Sequence, residues 1–490
     1  MRLRALLDRA TAGQRIHGRS RLRPSLVDKV LRDPFWVWCQ HHAPKAEAVN
    51  EIGRYEQMRY RRGVEHEDAW VAAHYPGVLA IRPDFGHQAL VRTLRAMLEG
   101  VPAIHQPQLW DLGRDVYGRG DLLVRDDSHA SDLGPYHYRV IEIKRARKLR
   151  DAYVLQAAFY NRTVGAVQGY MPERVTVALR EEVRPVDVSG FGKRMDDVAA
   201  RWCALRDRTV EEPEPGRPPD VTDSPWRAYG NRLVHERRDL VLLAGVRAPE
   251  RAKLRAAGIH NVDELWTSSL GETEEILGPH HGATAYHVAQ SYRTGQPVPK
   301  PGRELRIPRA RRLLYFDFET SDDTHPTMPP HVYLIGCWDG SRDQFVRFLA
   351  RGPEDEAEIF EEFLDYVGDD LEAVRLYHWT DYEVWQMKAV MRRWPRLEGR
   401  LARLMGSCVD LKRCIQDAVY LPVPRFSIKS VAPALGFNWR QQGFGAYEAL
   451  LCYWDAVDTG DRSLAEKAVR YNEDDCVAMW HVDQRLTGGA

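Results

Sequence analysis

The sequence predicts an α/β protein built from three successive units. Three observations carry this: 490 residues exceed what one hydrophobic core supports, two Pro-rich charged segments punctuate the chain, and short acid-bearing apolar strands alternate with helical segments on either side of a helical middle. The punctuation falls at Glu211 to Pro225, rich in Pro, Glu and Asp, and at Gly295 to Pro308, rich in Pro and basic residues. The expected units are 1–210, 211–304 and 305–490.

Composition bounds the class. Hydrophobic residues make up 44% and charged residues 29%, the balance of a folded chain rather than a disordered one. Lys and Arg (70) equal Asp and Glu (70). A zero total neither excludes nor supports nucleic-acid binding, because an acidic centre inside a basic groove cancels in the sum. No stretch approaches the ~20 apolar residues that span a bilayer, so no membrane partner and a cytoplasmic location are expected. The seven cysteines are odd in number, widely spread and without a Cys-x-x-Cys pair, which reads as reduced thiols.

In the first unit, Tyr138-Arg139-Val140-Ile141-Glu142-Ile143-Lys144 reads as a strand by its β-branched content and its alternation. Residues two apart share a face, so Glu142 and Lys144 project together. Upstream, Asp121 stands at the mouth of a short apolar strand, Leu122-Leu123-Val124, joined to the first by a polar hairpin-like stretch. Two carboxylates can hold a divalent cation that polarises a phosphate, and a neighbouring lysine can orient or deprotonate the attacking water. A lysine at a strand end is expected to make little core contact. A following helix carries Gln156 and Tyr160 one turn apart on one face, and an earlier one carries His66. Singly these are ordinary: Glu-x-Lys on a strand is usually a cross-strand ion pair.

The order His66, Asp121, Glu142-Ile143-Lys144, Gln156, Tyr160 resembles the PD-(D/E)XK nucleases of the RecB type over about Ser25 to Val167. That resemblance implies a restriction-endonuclease-like fold, with His66, Asp121 and Glu142 holding Mg2+ or Mn2+, Lys144 serving catalysis, and Gln156 and Tyr160 supporting the site or the DNA. Many relatives of that type bind an iron–sulfur cluster through one early cysteine and three late ones. Cys39 stands at the early position, but only Cys203 follows Tyr160 before Cys337. No iron–sulfur cluster is expected.

The middle unit contains Leu254-Arg255-Ala256-Ala257-Gly258-Ile259 followed by Val262 and Leu265. The pattern resembles a helix-hairpin-helix, in which Gly258 permits a tight turn and backbone amides face a phosphate. A plain helical pair packed through those apolar residues fits equally well.

The third unit opens on Leu313-Leu314-Tyr315-Phe316-Asp317-Phe318-Glu319-Thr320. As a strand this places Leu314, Phe316 and Phe318 on one face and Asp317 with Glu319 on the other. Two carboxylates side by side in an aromatic strand repel in low dielectric unless a cation compensates them. Strands at His331 to Trp338, Gln344 to Leu349 and Ala373 to His378 follow, then Trp379-Thr380-Asp381-Tyr382-Glu383. In the last helix, Tyr471 and Asp475 are four apart on one face.

This order resembles the ribonuclease-H-like DEDD exonucleases of the Tyr-x-x-x-Asp subclass. The resemblance implies that Asp317, Glu319, a third acid near Tyr382 and Asp475 hold two divalent cations, Mg2+ or Mn2+, while Tyr471 positions water. The third acid is Glu383 by preference, with His378 in the place of an Asn, and Asp381 also within reach. Lys429, in Phe426-Ser427-Ile428-Lys429, could contact phosphate, although an exposed helix lysine is the more ordinary reading. Over nearly the whole chain the arrangement resembles predicted RecB-family nucleases with both domains.

The implied activity is metal-dependent hydrolysis of nucleic acid, DNA favoured over RNA, 3′ to 5′ at the second centre, in repair, recombination or defence. The competing reading is a nucleic-acid-binding adaptor with one or both centres inert. Protein partners cannot be read from the sequence.

Overall fold

The computed structural model describes residues 2–12, 20–49, 52–82 and 86–488. It divides into two compact units, one of Met1–Ile52, Arg59–Gly216 and Thr222–Ala228, the other of Gly53–Met58, Arg217–Val221 and Tyr229–Ala490. Among the described residues no helix is long and apolar enough to cross a membrane.

The first unit is organised around a six-stranded sheet of β1 (Leu79–Ala80), β2 (Ala103–His105), β3 (Leu122–Asp126), β4 (His137–Ile143), β5 (Arg174–Ala178) and β6 (Val183–Asp187), in that order across the sheet. β3 and β4 pair antiparallel with Leu122 opposite Ile141, which sets Asp121 at the end of one strand beside Glu142 on the next. β4 and β5 run parallel. A parallel pair needs a crossover, and helix α2 (Asp151–Gln168) supplies it. Val154, Leu155, Ala158 and Phe159 are buried in the core with Tyr138 and Val140 of β4, so one helix face is fixed against the sheet. A long helix, α1 (Arg54–His74), precedes β1.

The second unit contains the middle helices and a mixed five-stranded sheet. Gly258 adopts φ +87 between the helices Ala248–Ala256 and Val262–Thr267, a backbone region that favours glycine. Leu254, Ile259, Val262 and Leu265 are buried together around that turn. The amides of Gly258 and Ile259 donate to Arg255 and Leu254 carbonyls, 3.0 and 2.9 Å, so the turn closes on its own helix.

Across the sheet the order is β9 (Gln344–Leu349), β8 (His331–Asp339), β7 (Arg312–Ser321), β10 (Val374–His378), β11 (Cys408–Asp410). β7 is antiparallel to β8 and parallel to β10. Its two faces have different fates. Leu314, Phe316 and Phe318 pack against Phe360, Phe363 and Leu364 of helix α3 (Glu356–Val367) and against Met387 and Val390 of helix α4 (Tyr382–Arg393). Tyr315, on the opposite face, packs with Ala478, Met479 and Val482 of helix α7 (Glu466–Thr487). That alternation carries Asp317 and Glu319 to the α7 side.

Candidate metal centres

In the first unit β3, β4 and α2 bring five of the predicted residues together. Glu142 is fully buried. Lys144 pairs with its Oε1 and lies 3.7 Å from Asp121 Oδ2. Asp121 Oδ2 also accepts from the Ile143 amide at 2.7 Å, and Gln156 Nε2 donates to Glu142 Oε1 at 2.6 Å. Tyr160 is buried, near enough for the charges of Glu142 and Asp121 to act on it. Burial, then the charge of Asp121, holds the Glu142 carboxyl well above its ordinary range, with Lys144 opposing. Burial likewise raises Asp121. Glu142 Oε2 is buried without a hydrogen-bond partner. Two carboxylates, one with an unsatisfied buried oxygen, suit a divalent cation.

The expectation that Lys144 makes little core contact is corrected: its ammonium compensates a carboxylate with no exposed surface. His66 lies on α1 with its Nε2 buried and unbonded, and the charges acting on it are chiefly Arg145, Arg180 and Arg62, which lower its pKa after burial. The side chain of α1 that acts on the pair is Glu67. It accepts from His105 Nε2 at 2.8 Å and from Gln106, and its charge raises both Asp121 and Lys144. Nothing in the sequence pattern distinguishes Glu67 from an ordinary helix glutamate.

The second unit holds a tighter acidic group. Asp317, Glu319 and Asp475 each offer an oxygen within 4.8 Å of the others, the one such three-residue group among the described residues. β7 supplies the first two and α7 the third. Glu383, at the start of α4, is buried and close enough for its charge to act on Asp317, whereas Asp381 is exposed at the helix cap. Glu383 Oε2 has no hydrogen-bond partner. His378, buried, bonds the Thr380 carbonyl and is pushed down by burial, so it is neutral. Burial first, then mutual repulsion, pushes Asp317 well above the carboxylate range. Burial is also the main cause that lifts Glu319 to about 8, Glu383 to about 7 and Asp475 to about 6. Four carboxylates facing one another inside a fold are a site for cations.

Only one of the three consecutive acids on α7 belongs to the group. Asp474 and Glu473 bond Arg440 instead, the Arg440 amide donating to Asp474 at 3.0 Å and the guanidinium to Glu473 at 2.7 Å. Helical spacing turns neighbours about 100° apart, so the choice follows from which face meets β7. Tyr471 stands one turn before Asp475, and burial, then the charge of Asp475, pushes its hydroxyl up, so it stays protonated and can donate but not act as a base. Lys429, on helix α5 (Ile428–Ala434), pairs with Asp475, its Nζ 4.0 Å from the ring centres of both Tyr471 and Trp439. Lys429 therefore orders the acid and the tyrosine rather than standing free for phosphate.

Two residues that the motif left out complete the frame. Asn472 Nδ2 donates to Asp317 Oδ2 at 2.9 Å and to its carbonyl at 3.3 Å. Gly336 pairs with Asp317 across β7 and β8, and a Cβ built there would meet Asn472 Oδ1 at 1.7 Å. A glycine inside a strand signals such a close approach. Gly336→Ala should therefore displace Asn472 and release Asp317, lowering stability by about 1–3 kcal/mol, roughly 2–12 °C in Tm. An alanine variant melting like wild type would show that Asn472 moves aside at no cost.

The raised carboxyls give a pH dependence of defined sign. Unfolded carboxyls titrate near 4. Without divalent cation the folded state holds extra protons on Asp475, Glu383 and Glu319, and loses them as pH rises through about 6, 7 and 8. Where the folded state binds more protons, stability falls with rising pH. In chelator the melting temperature should drop more steeply for wild type than for Glu319→Gln between about pH 5 and 8.5. Mg2+ or Mn2+ should restore more of it at the alkaline end; parallel curves for the two proteins would contradict the raised acids.

Residues 314–487 match the family model of the RNase H superfamily. No curated protein matches the chain. The second unit thus carries an RNase H-like domain whose matched span includes Asp317, Glu319, Glu383, Tyr471 and Asp475.

Proposed function

We propose that the chain is a metal-dependent nuclease, hydrolysing phosphodiester bonds of nucleic acid at the acidic centre of its RNase H-like domain, with DNA the favoured substrate and release from the 3′ end. The carrying observation is the convergence of Asp317, Glu319 and Asp475 within 4.8 Å, with buried Glu383 near enough for its charge to act on Asp317. When bound there, Mg2+ or Mn2+ would polarise the phosphate and lower the pKa of water. Asp317, Glu319, Asp475 and Glu383 would hold it, and the unsatisfied Glu383 oxygen fits that role. Tyr471 directs its protonated hydroxyl beside Asp475, where it orients water by donating. Asn472 and Lys429 keep Asp317 and Asp475 in place.

The first unit is proposed as a second metal-dependent nuclease centre of the PD-(D/E)XK kind, with Asp121 and Glu142 as ligands and Lys144 beside them. Its support is the shared environment of Asp121, Glu142, Lys144, Gln156 and Tyr160. The arginines acting on His66, namely Arg145, Arg180 and Arg62, make the surroundings favourable for a polyanion.

A cleavage panel tests both: 5′- and 3′-labelled single- and double-stranded DNA and RNA, each with Mg2+, Mn2+ or chelator. Nucleotide release from the 3′ label should require metal. Tyr471→Phe should slow it by roughly 10–1000-fold, at or below what a positioned proton-transfer group contributes, because only a water-orienting hydroxyl is lost. Glu383→Ala should be far more damaging than Asp381→Ala, since the first is buried against Asp317 and the second faces solvent. The reverse order would make Asp381 the fourth ligand.

A further inference from the structure

The second unit contains a further cavity, of about 350 Å3, that shares no lining residue with the cleft holding Asp317, Glu319 and Asp475. Helix α6 (Ala446–Thr459) serves both. Its first turns give Ala446, Tyr447 and Leu450 to the cleft, and its later turns give Tyr453, Ala456 and Val457 to the cavity. The cavity floor is apolar, with Ala350, Tyr453, Ala456 and Ala465 all buried. Tyr453 is fixed there: its ring stacks on Tyr333 with centroids 4.2 Å apart and planes 9° apart, and its hydroxyl is bonded to His331 Nε2 at 2.8 Å.

Three arginines, Arg347, Arg351 and Arg462, stand in the same lining. Two are occupied: Arg347 pairs with Glu466 at 2.7 Å, and Arg351 with Asp355 at 2.6 Å and Glu358 at 3.1 Å. Arg462 is exposed and forms no ion pair among the described residues, although its charge acts on Asp355. Three guanidiniums against three carboxylates leave no surplus of charge, so a nucleic-acid backbone, which is held by accumulated cations, gains little here. A single carboxylate needs only one free guanidinium, whose planar fork takes it by two parallel hydrogen bonds. The lining also lacks an uncommitted neutral side-chain donor or acceptor that could read a base or a sugar. Between the lining residues Arg462 and Ala465, Leu464 is 38% exposed, an apolar side chain beside the mouth of the cavity.

We infer that this cavity captures the C-terminal end of a partner polypeptide, with a large apolar last side chain on the floor, its terminal carboxylate on Arg462, and the preceding residue over Leu464. The apolar floor supplies affinity by removing that side chain from water, and the single free guanidinium selects a chain end over a chain interior, which has no carboxylate to offer. A free apolar acid would fill the floor and meet Arg462 but leave Leu464 uncovered; a chain continuing outward covers it. None of the metal-binding residues takes part, so the inference stands apart from the nuclease reading.

The test uses the full chain and hexapeptides Gly-Ser-Gly-Ser-Leu-Phe and Gly-Ser-Gly-Ser-Leu-Leu, labelled with fluorescein at the N-terminus, with binding read by fluorescence polarisation. At least one should bind saturably with its carboxylate free. Converting that carboxylate to an amide should weaken binding by about 10- to 150-fold, the effect of losing a charge-assisted pair. Replacing the last residue by Ala should also weaken it. Arg462→Ala should bring the free acid down to the level of the amide, leave the amide unchanged, and leave nucleotide release from a 3′-labelled strand at the wild-type rate. Equal binding of acid and amide, an unaltered Arg462→Ala, or no saturation up to about 1 mM by either peptide overturns the inference. So does 3-phenylpropionate binding as tightly as the peptide, which makes the ligand a free acid, or displacement of the peptide by single-stranded DNA in an Arg462-dependent way, which makes the cavity a nucleic-acid contact.

Discussion

Asp317→Asn should abolish metal-dependent release of nucleotides from a 3′-labelled strand, by about three orders of magnitude or more, the scale of losing the main charge stabilisation at a reacting phosphate. Asp317 is the acid on which the other three act: Glu319, Asp475 and Glu383 all raise its pKa, and Asn472 holds its Oδ2. No neighbouring side chain can take over, because its own strand gives the next inward acid to Glu319 and the partner strand gives Gly336. The substitution keeps size and removes charge, and it relieves repulsion among buried carboxylates. Thermal stability in chelator should therefore be equal to or above wild type, while the stabilisation by Mg2+ shrinks. Loss of activity together with a lowered melting temperature would instead indicate a folding defect. Full activity would remove this centre from the reaction.

Lys144→Ala should eliminate whatever cleavage Asp317→Asn leaves behind, and the double variant should be silent. The argument is the local charge balance of the first unit. Lys144 is the cation that compensates fully buried Glu142 and lies 3.7 Å from Asp121. Its ammonium can also stand beside an attacking water as a donor. Because it compensates a buried carboxylate, Lys144→Ala leaves that charge unpaired, and some loss of stability accompanies the loss of activity. Lys144→Arg separates the two effects: it keeps a cation beside Glu142, so stability should recover, while the planar guanidinium does not reproduce the ammonium's placement and activity should not. Residual cleavage in Asp317→Asn that Lys144→Ala does not touch would make the first centre structural. No residual cleavage at all would leave that unit a nucleic-acid-binding platform.

The sequence by itself determined the elements that carry acids. Alternation in Leu314 to Glu319 required two inward carboxylates on one strand face, and the four-residue spacing of Tyr471 and Asp475 required one helix face, since pleat and helix periods are local properties of the backbone. Glu142, Lys144, Gln156 and Tyr160 were legible for the same reason. What local spacing cannot supply is which face of one element meets which face of another. Tertiary packing alone separated Asp475 from Asp474 and Glu473, turned Glu383 inward and Asp381 outward, and gave Lys429 to Asp475. It also set Asn472 against Gly336 across two elements 136 residues apart, and placed Tyr55 beneath Tyr447. These contacts join residues far apart in the chain, and their geometry follows from how helices seat on a sheet, a property of the packed core as a whole.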